Sequence, residues 1–176
     1  MAAVDFMKVT LDFIHRGFRN APEGLSDEQL HFVPAGQSHS IAWTMWHAAR
    51  IEDLFFQQIF QSKPAEFDSG VWAEKTGLPP KGFGTGQSTE DAAQVRIADL
   101  AAFQMYQARV AELSSAYIAG LSDDDLAREV KLGQRTEALG ESINLHLVMH
   151  LNGHRGEINL IRGMLGFDPV LLNQGA

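Results

Sequence analysis

Apolar residues recur at helical spacing in four stretches of this chain, and each stretch predicts an amphipathic α-helix. The first is expected at about 4–20, the second from residue 38 or 40 to about 60, the third at about 88–118 and the fourth at about 136–165. No convincing strand pattern accompanies them. The sequence therefore predicts an all-α fold, a four-helix bundle in which the apolar stripes meet along the axis.

Between the second and third predicted helices, the stretch at 61–87 has no helical periodicity and is rich in glycine and proline. A loop of this length in a compact domain is often functional, as a lid or a subunit contact. The alternative is a packed surface loop with a helical turn near 71–75. Shorter pieces are expected elsewhere, namely a turn capped by Ser26 and an extended piece at 129–133. The 176 residues, 1–176, are expected to form a single domain.

Composition narrows the chemistry and the partners of the chain. It has no cysteine, which excludes disulfides, thiolate metal sites and a cysteine nucleophile, so imidazole and carboxylate groups must hold any metal. The formal net charge of −8, without a cluster of lysine and arginine, argues against nucleic acid or an anionic membrane as a partner. No apolar run is long enough to span a membrane and the N-terminus does not look like a signal peptide, so the expected location is the cytoplasm.

The fourth predicted helix carries histidines on its apolar face. His150 and His154 lie near the middle of the apolar stripe, Glu157 lies on it, and His146 sits at its edge. A buried imidazole without a partner costs about 1–3 kcal/mol. Two imidazoles one helical turn apart can share a cation, as in the HxxxH pattern that binds zinc. The alternative is that they are core histidines with hydrogen-bonded partners.

The second predicted helix has His47 in the middle of its apolar stripe. If the second and fourth helices are neighbours, His47, His150 and His154 converge into a set of three ligands that leaves a coordination position open. Imidazole ligands suit Zn, Ni, Cu or Fe. Glu52 lies about 140° from His47 around the helix, so we expect it to pair with a neighbouring helix or a loop amide rather than a metal. Asp99, inside the third stripe, either supports the histidines or pairs with an arginine.

Two glycines, Gly153 and Gly156, stand beside these histidines in the fourth predicted helix. Each glycine inside a helix costs up to about 1 kcal/mol relative to alanine. Their presence predicts either that another helix packs very close at this point or that the space is needed for a ligand, with close packing the expected reason.

Two segments of the sequence, SIAWTMWHAARIEDLFF and, far downstream, HLVMHLNGHRGEINLIRGMLG, resemble the DinB/YfiT-like superfamily of metal-binding four-helix bundles. Two more, LHFVPAGQSHSIAW and VWAEKTGLPPKGFGTGQS, resemble its DUF664-type branch. The resemblance covers nearly the whole chain. It implies that His47, His150 and His154 are the metal ligands, with His146 outside the set. It also implies a divalent transition metal, Zn or Ni before Fe, Mn or Cu, and a homodimer.

The resemblance also suggests reactions. Relatives include thiol-dependent S-transferases and isomerases, in which a metal would activate a thiol or water. The maleylpyruvate-isomerase branch has a glutamate at the position of His150, so this chain departs from that branch. The first hypothesis is a metal-dependent hydrolase or thiol-dependent transferase acting on a small-molecule substrate such as a low-molecular-weight thiol. In it, Glu157 and Asp99 are candidates for orienting a ligand or moving a proton.

Two other hypotheses remain open on the sequence alone. One is a non-catalytic, stress-related binding module, dimeric, in which the metal site is structural. The other is that no metal binds and the histidines pair with Asp99 and Glu157 instead. A purely structural site would have no open coordination position, whereas an enzyme needs one beside a substrate pocket.

Overall fold

The structure, a computed structural model, describes residues 1–34, 39–69 and 71–170. Most of this length is helical, which confirms the all-α fold. Two segments, Leu54–Ile59 and Asn144–Met149, are π-helical and continue the α-helices that precede them. None of the described helices combines the length and apolarity that a membrane crossing requires. The elements are α1 (Ala3–Asn20), α2 (Asp27–Leu30), α3 (Ile41–Asp53), α4 (Val71–Thr76), α5 (Thr89–Ala93), α6 (Leu100–Ala119), β1 (Glu129–Leu132), β2 (Arg135–Ala138), α7 (Leu139–Ile143) and α8 (His150–Met164).

Helix α3 is the central helix, since every residue from Ile41 to Asp53 is buried. It begins after Ser40, whose hydroxyl accepts a hydrogen bond from the backbone N–H of Trp43 at 3.1 Å. Ser38, the alternative start, lies outside the described residues. Helices α6 and α8 both pack against α3, and α1 packs against α6 and α8. The second and fourth predicted helices are therefore neighbours, as a shared histidine site requires.

The third predicted helix is interrupted, which corrects the sequence analysis. It divides into α5 and α6, and Val95 and Ile97 between them are buried while their neighbours are exposed, as in an extended segment. Asp99 ends this segment and caps α6, because its Oδ1 accepts a hydrogen bond from the N–H of Ala102 at 2.9 Å. Asp99 is exposed, so its assignment to the buried stripe was wrong.

The start of the fourth predicted helix is also corrected. Residues 129–132 form the expected extended piece, but they pair antiparallel with β2, which includes Thr136. Gly133 lies in the turn of this hairpin with φ of +63°, a conformation that glycine adopts without strain. The helix starts only at Leu139, and the π-helical segment brings the chain to His150. Such π-helical turns are often found at functional sites.

The long loop at 61–87 is packed over the central helix. Its α4 confirms the helical turn expected near 71–75. Asp53 holds its first part, since the carboxylate accepts hydrogen bonds from the backbone N–H groups of Glu66 at 2.8 Å and Phe67 at 2.9 Å. Arg50 holds its last part by donating from Nε to the carbonyl of Gly82 at 3.1 Å. Both anchors belong to α3, so the end of the loop is brought to the side of His47.

Candidate metal centre

Three histidine side chains from α3 and α8 meet at one point. The Nε2 atom of His150 lies 3.2 Å from Nε2 of His47 and 2.9 Å from Nε2 of His154. The three potential ligand atoms all lie within 4.8 Å of one another. The structure thus brings together the three positions that the sequence singled out, and the group has the composition of a metal site.

The other ring nitrogen of each histidine is held by an oxygen atom. Nδ1 of His47 contacts the carbonyl oxygen of Phe83, Nδ1 of His150 lies 3.3 Å from the carbonyl oxygen of His146, and Nδ1 of His154 lies 2.7 Å from Oε2 of Glu157. A carbonyl oxygen only accepts hydrogen bonds, so the Nδ1 atoms facing one must carry the proton. This is the arrangement in which metal-binding histidines are oriented by oxygen acceptors behind them.

Burial keeps two of these rings neutral. It lowers the pKa of His47 to about 4, with the neighbouring imidazoles of His154 and His150 acting in the same direction. Burial and the nearby His154 also lower the pKa of His150. With the proton on Nδ1 and the ring neutral, each Nε2 presents a lone pair to the centre of the cluster.

The donor set fits a divalent transition metal. Lone pairs only about 3 Å apart repel each other, and a cation between them removes that repulsion. Zinc–nitrogen bonds of about 2.0–2.1 Å in tetrahedral geometry place two ligand nitrogens about 3.3 Å apart. The spacing between His47 and His150 is 3.2 Å and that between His150 and His154 is 2.9 Å, which is close to this value. Three imidazoles without a thiolate suit Zn, Ni, Cu or Fe.

A stack of aromatic rings fixes the orientation of His47. The indole of Trp43 lies parallel to the His47 ring with centroids 4.8 Å apart, and His39 stacks on Trp43 at 3.7 Å. The indole N–H of Trp43 in turn donates to Oε1 of Gln87 at 2.8 Å. His39 was not identified from the sequence. Its spacing of four and eight residues from Trp43 and His47 was the available signal.

Gly84 lets the end of the long loop approach this stack. Its φ is +90°, and a Cβ placed there would lie 2.7 Å from Cζ2 of Trp43 and 3.1 Å from Nδ1 of His47. Only glycine accommodates both the conformation and the close approach. The preceding residue supplies the carbonyl that accepts from His47. The loop therefore supports the histidine cluster, a role that the sequence did not reveal beyond its glycine content.

A cavity of about 550 Å³ opens beside His150. Its size is in the range of small-molecule binding sites. Most of its wall is apolar, and the β-hairpin contributes a single lysine, Lys131. Its lining includes Phe55, Phe83, Lys131, Leu145, His146 and His150.

The remaining candidates are not ligands in the cluster. Glu157 is exposed and accepts from His154, and this hydrogen bond lowers the pKa of its carboxyl group. His146 stacks on Phe55 with centroids 5.1 Å apart. Its Nε2 lies 2.9 Å from Oε1 of Glu137, in contact but without the angles of a hydrogen bond. His146 is outside the three-histidine group, as the resemblance implied.

Glu52 lies on another side of α3 from His47. Its Oε1 atom accepts a hydrogen bond from the hydroxyl of Ser114 and lies 2.7 Å from Nε2 of His15. The expected pairing of Glu52 with a neighbouring helix is therefore confirmed, with partners on both α1 and α6. His15 was not identified from the sequence, because nothing in the local pattern of α1 indicates that it meets α3.

The prediction of close packing at Gly153 and Gly156 was wrong. Both glycines are exposed, and a Cβ built at either would meet nothing within 4 Å. The reason is that both lie on the exposed side of α8, where no other helix of the described chain covers them. Within the described part of the chain this side of α8 is uncovered.

Comparison with known proteins supports the fold. The profile of the DinB superfamily matches residues 10–158, a stretch that includes all three histidines. A solved structure, a conserved protein from Enterococcus faecalis, has a TM-score of 0.75 and 24% sequence identity, covering 93% of this chain and 99% of that one. At that identity the likeness concerns the fold alone. No curated protein matches the sequence. Since the profile covers most of its length, the chain belongs to the DinB superfamily.

Proposed function

We propose that His47, His150 and His154 bind a divalent transition metal, Zn or Ni, and that the protein uses it in catalysis. The reaction would be hydrolysis or transfer to a thiol, with a low-molecular-weight thiol or water as the attacking group. The observation that carries the proposal is the convergence of three Nε2 atoms whose Nδ1 partners are all oxygen atoms. A bound metal of this kind lowers the pKa of coordinated water or thiol and supplies a nucleophile at neutral pH.

The residues around the cluster have separate parts in this proposal. The carbonyl of Phe83 and the carboxylate of Glu157 hold His47 and His154 in the orientation that presents Nε2. Phe55 and Phe83 in the cavity wall bind the apolar part of a substrate and exclude water from it. Lys131 at the same cavity attracts an anionic group. A cavity next to His150 favours an open, catalytic site over a closed structural one.

The test is the metal content of protein purified without an affinity tag or chelator and then offered Zn or Ni. We expect about one metal per chain in the wild type and a loss in His154→Ala. His146→Ala is the matched control, because it removes an imidazole one turn before His150 that lies outside the group, and it should retain the metal. Full occupancy in His154→Ala, or no binding by the wild type, would refute the assignment. Thiol-transfer and hydrolysis assays of the loaded protein would follow.

We also propose that the protein is a homodimer that pairs through the outer side of α8. Met149, Leu160 and Met164 are 59%, 68% and 57% exposed, and at helical spacing they share one side of the helix with Gly153 and Gly156. Exposed apolar side chains that form one stripe are typical of an interaction surface, and glycines allow close approach of a second helix. The same surface would serve the alternative function, a non-catalytic dimeric binding module with a structural metal.

A further inference from the structure

A second cavity, of about 480 Å³, lies between α1, α3 and α6, away from the histidine cluster. None of its lining residues belongs to the cluster or to the cavity beside His150. Helix α3 contributes Ala48, Ala49 and Glu52 to it, whereas His47 faces the cluster. Its volume is within the range of small-molecule sites. Nothing in the proposed metal chemistry uses this cavity.

The polar part of this second cavity includes a buried ion pair. The side chains of His15 and Glu52 are only 9% and 6% exposed, and Nε2 of His15 lies 2.7 Å from Oε1 of Glu52. Ser114 donates to the same carboxylate oxygen. Among the described residues, Oε2 of Glu52 and Nδ1 of His15 have no hydrogen-bond partner. Neither atom is sealed from solvent, so both are free to pair with a molecule that enters the cavity.

Most of the remaining wall is apolar, although Arg19, Gln104 and Gln107 also line the cavity. Small side chains and a few large ones surround the polar pair: Phe18, Ala48, Ala49, Met105, Ala108 and Leu151. Met105, on the cavity margin, is 63% exposed, and its unbranched side chain can adapt to a guest. Such walls favour a compact apolar molecule over a strongly hydrated one.

The charge of the ion pair limits which polar group a molecule bound in the cavity can carry. Burial alone would lower the pKa of His15, but the adjacent Glu52 carboxylate raises it above its ordinary value. Arg19, the other charged residue of the lining, is exposed, where solvent screens its attraction for an anion. His15 and Glu52, as imidazolium and carboxylate, are together neutral, so a charged group gains little from entering beside them. What they offer is one donor, on Nδ1, and one acceptor, on Oε2, which match a hydroxyl or an amide.

We infer that this cavity binds a neutral, largely apolar small molecule of one or two rings, whose single hydroxyl or amide group pairs with Glu52 and His15. The site is independent of the metal centre. It adds a second ligand to the protein, recognised on a different side of α3. The inference stands whether or not the three histidines bind metal.

The experiment is a binding titration by calorimetry at pH 7 with three related probes. 1-Naphthol is neutral and carries a hydroxyl, 1-methylnaphthalene has nearly the same shape without it, and 1-naphthoate is an anion. We expect saturable binding of 1-naphthol, about tenfold or more weaker binding of 1-methylnaphthalene because Oε2 of Glu52 stays unpaired, and the weakest binding of 1-naphthoate. Equal binding of 1-naphthol and 1-methylnaphthalene would overturn the role of the ion pair.

Variants locate the binding. Ala108→Trp fills the cavity from an exposed position and should abolish binding of 1-naphthol, whereas Ala116→Trp adds the same side chain to an exposed position of α6 outside the cavity and should not. His154→Ala should also retain binding, which separates this site from the metal centre. Binding that is unchanged in Ala108→Trp, absent from the wild type or lost in His154→Ala would overturn the inference.

Discussion

Replacement of Gly84 by alanine tests whether the long loop orients His47. The structure predicts two separate effects of this substitution. The first is backbone strain, because Gly84 has φ of +90°, where a residue with a Cβ costs about 1–3 kcal/mol. The second is a collision, since the new Cβ would lie 2.7 Å from Cζ2 of Trp43 and 3.1 Å from Nδ1 of His47. Either the loop or the stacked rings must move, and the contact from Nδ1 of His47 to the carbonyl of Phe83 is then lost.

Gly86→Ala is the matched control for this variant. Gly86 has φ of +79°, so alanine there is strained in a similar way, but its Cβ would meet nothing within 4 Å. Both variants should lose about 1–3 kcal/mol of stability through backbone strain. Only Gly84→Ala should also lose metal affinity, by about 10–100-fold, because that is the usual effect of removing the acceptor behind a metal-binding histidine.

Competition with a chromophoric zinc chelator measures the affinity, and thermal unfolding of the metal-free protein measures the stability. If Gly84→Ala binds zinc as tightly as the wild type, the loop does not orient His47, and the reasoning from the carbonyl of Phe83 fails. If both variants lose affinity to the same degree, strain in the loop rather than contact with His47 is the cause.

Two further predictions concern surfaces away from the cluster. Leu160→Glu should shift the protein from dimer to monomer, as measured by light scattering after size exclusion. Met105→Glu, at a similarly exposed apolar position on α6, should leave the dimer intact. A monomeric wild type would refute the α8 interface. The pKa of His15 is raised by Glu52 against the effect of burial, so the pair stabilises the fold fully below pH 6.5, the ordinary pKa, and progressively less as pH rises through the folded value. The stability difference between wild type and Glu52→Gln, from urea unfolding, should therefore shrink from pH 5.5 to pH 9; a constant difference would contradict this.

The sequence predicted the parts of the site that depend on local periodicity. His150 and His154 follow each other by one turn, and His47 occupies the middle of an apolar stripe, so helical geometry alone turns these side chains toward the core. The three side chains converge because α3 and α8, which carry them, pack against each other. The supporting groups behind the histidines were not predictable in this way. The carbonyl of Phe83 has no sequence signature, because any residue would supply the same atom.

The break between α5 and α6 shows why the third helix was drawn too long. Val95 and Ala102 are seven residues apart, a spacing that a continuous helix puts on one face, so the pattern did not expose the interruption. Asp99 was the available signal, since aspartate is a strong N-cap whose carboxylate accepts from the N–H three residues on. Its place in the apolar stripe was read as burial, whereas local capping had the larger effect.

Helix α3 explains how one fold can hold two polar sites without losing its core. All of its residues from Ile41 to Asp53 are buried, yet His47, Glu52 and Asp53 are polar. Each of the three has its polar partners on different elements. His47 contacts α8 and the loop, and Glu52 contacts α1 and α6. Asp53 accepts hydrogen bonds from the loop and, at 2.9 Å, from the hydroxyl of Tyr106. Because buried polar groups are tolerated only when paired, each of these side chains fixes the element that it contacts. Two of the three still have unused capacity, the Nε2 lone pair of His47 and Oε2 of Glu52, and these are the two points at which we expect ligands to bind.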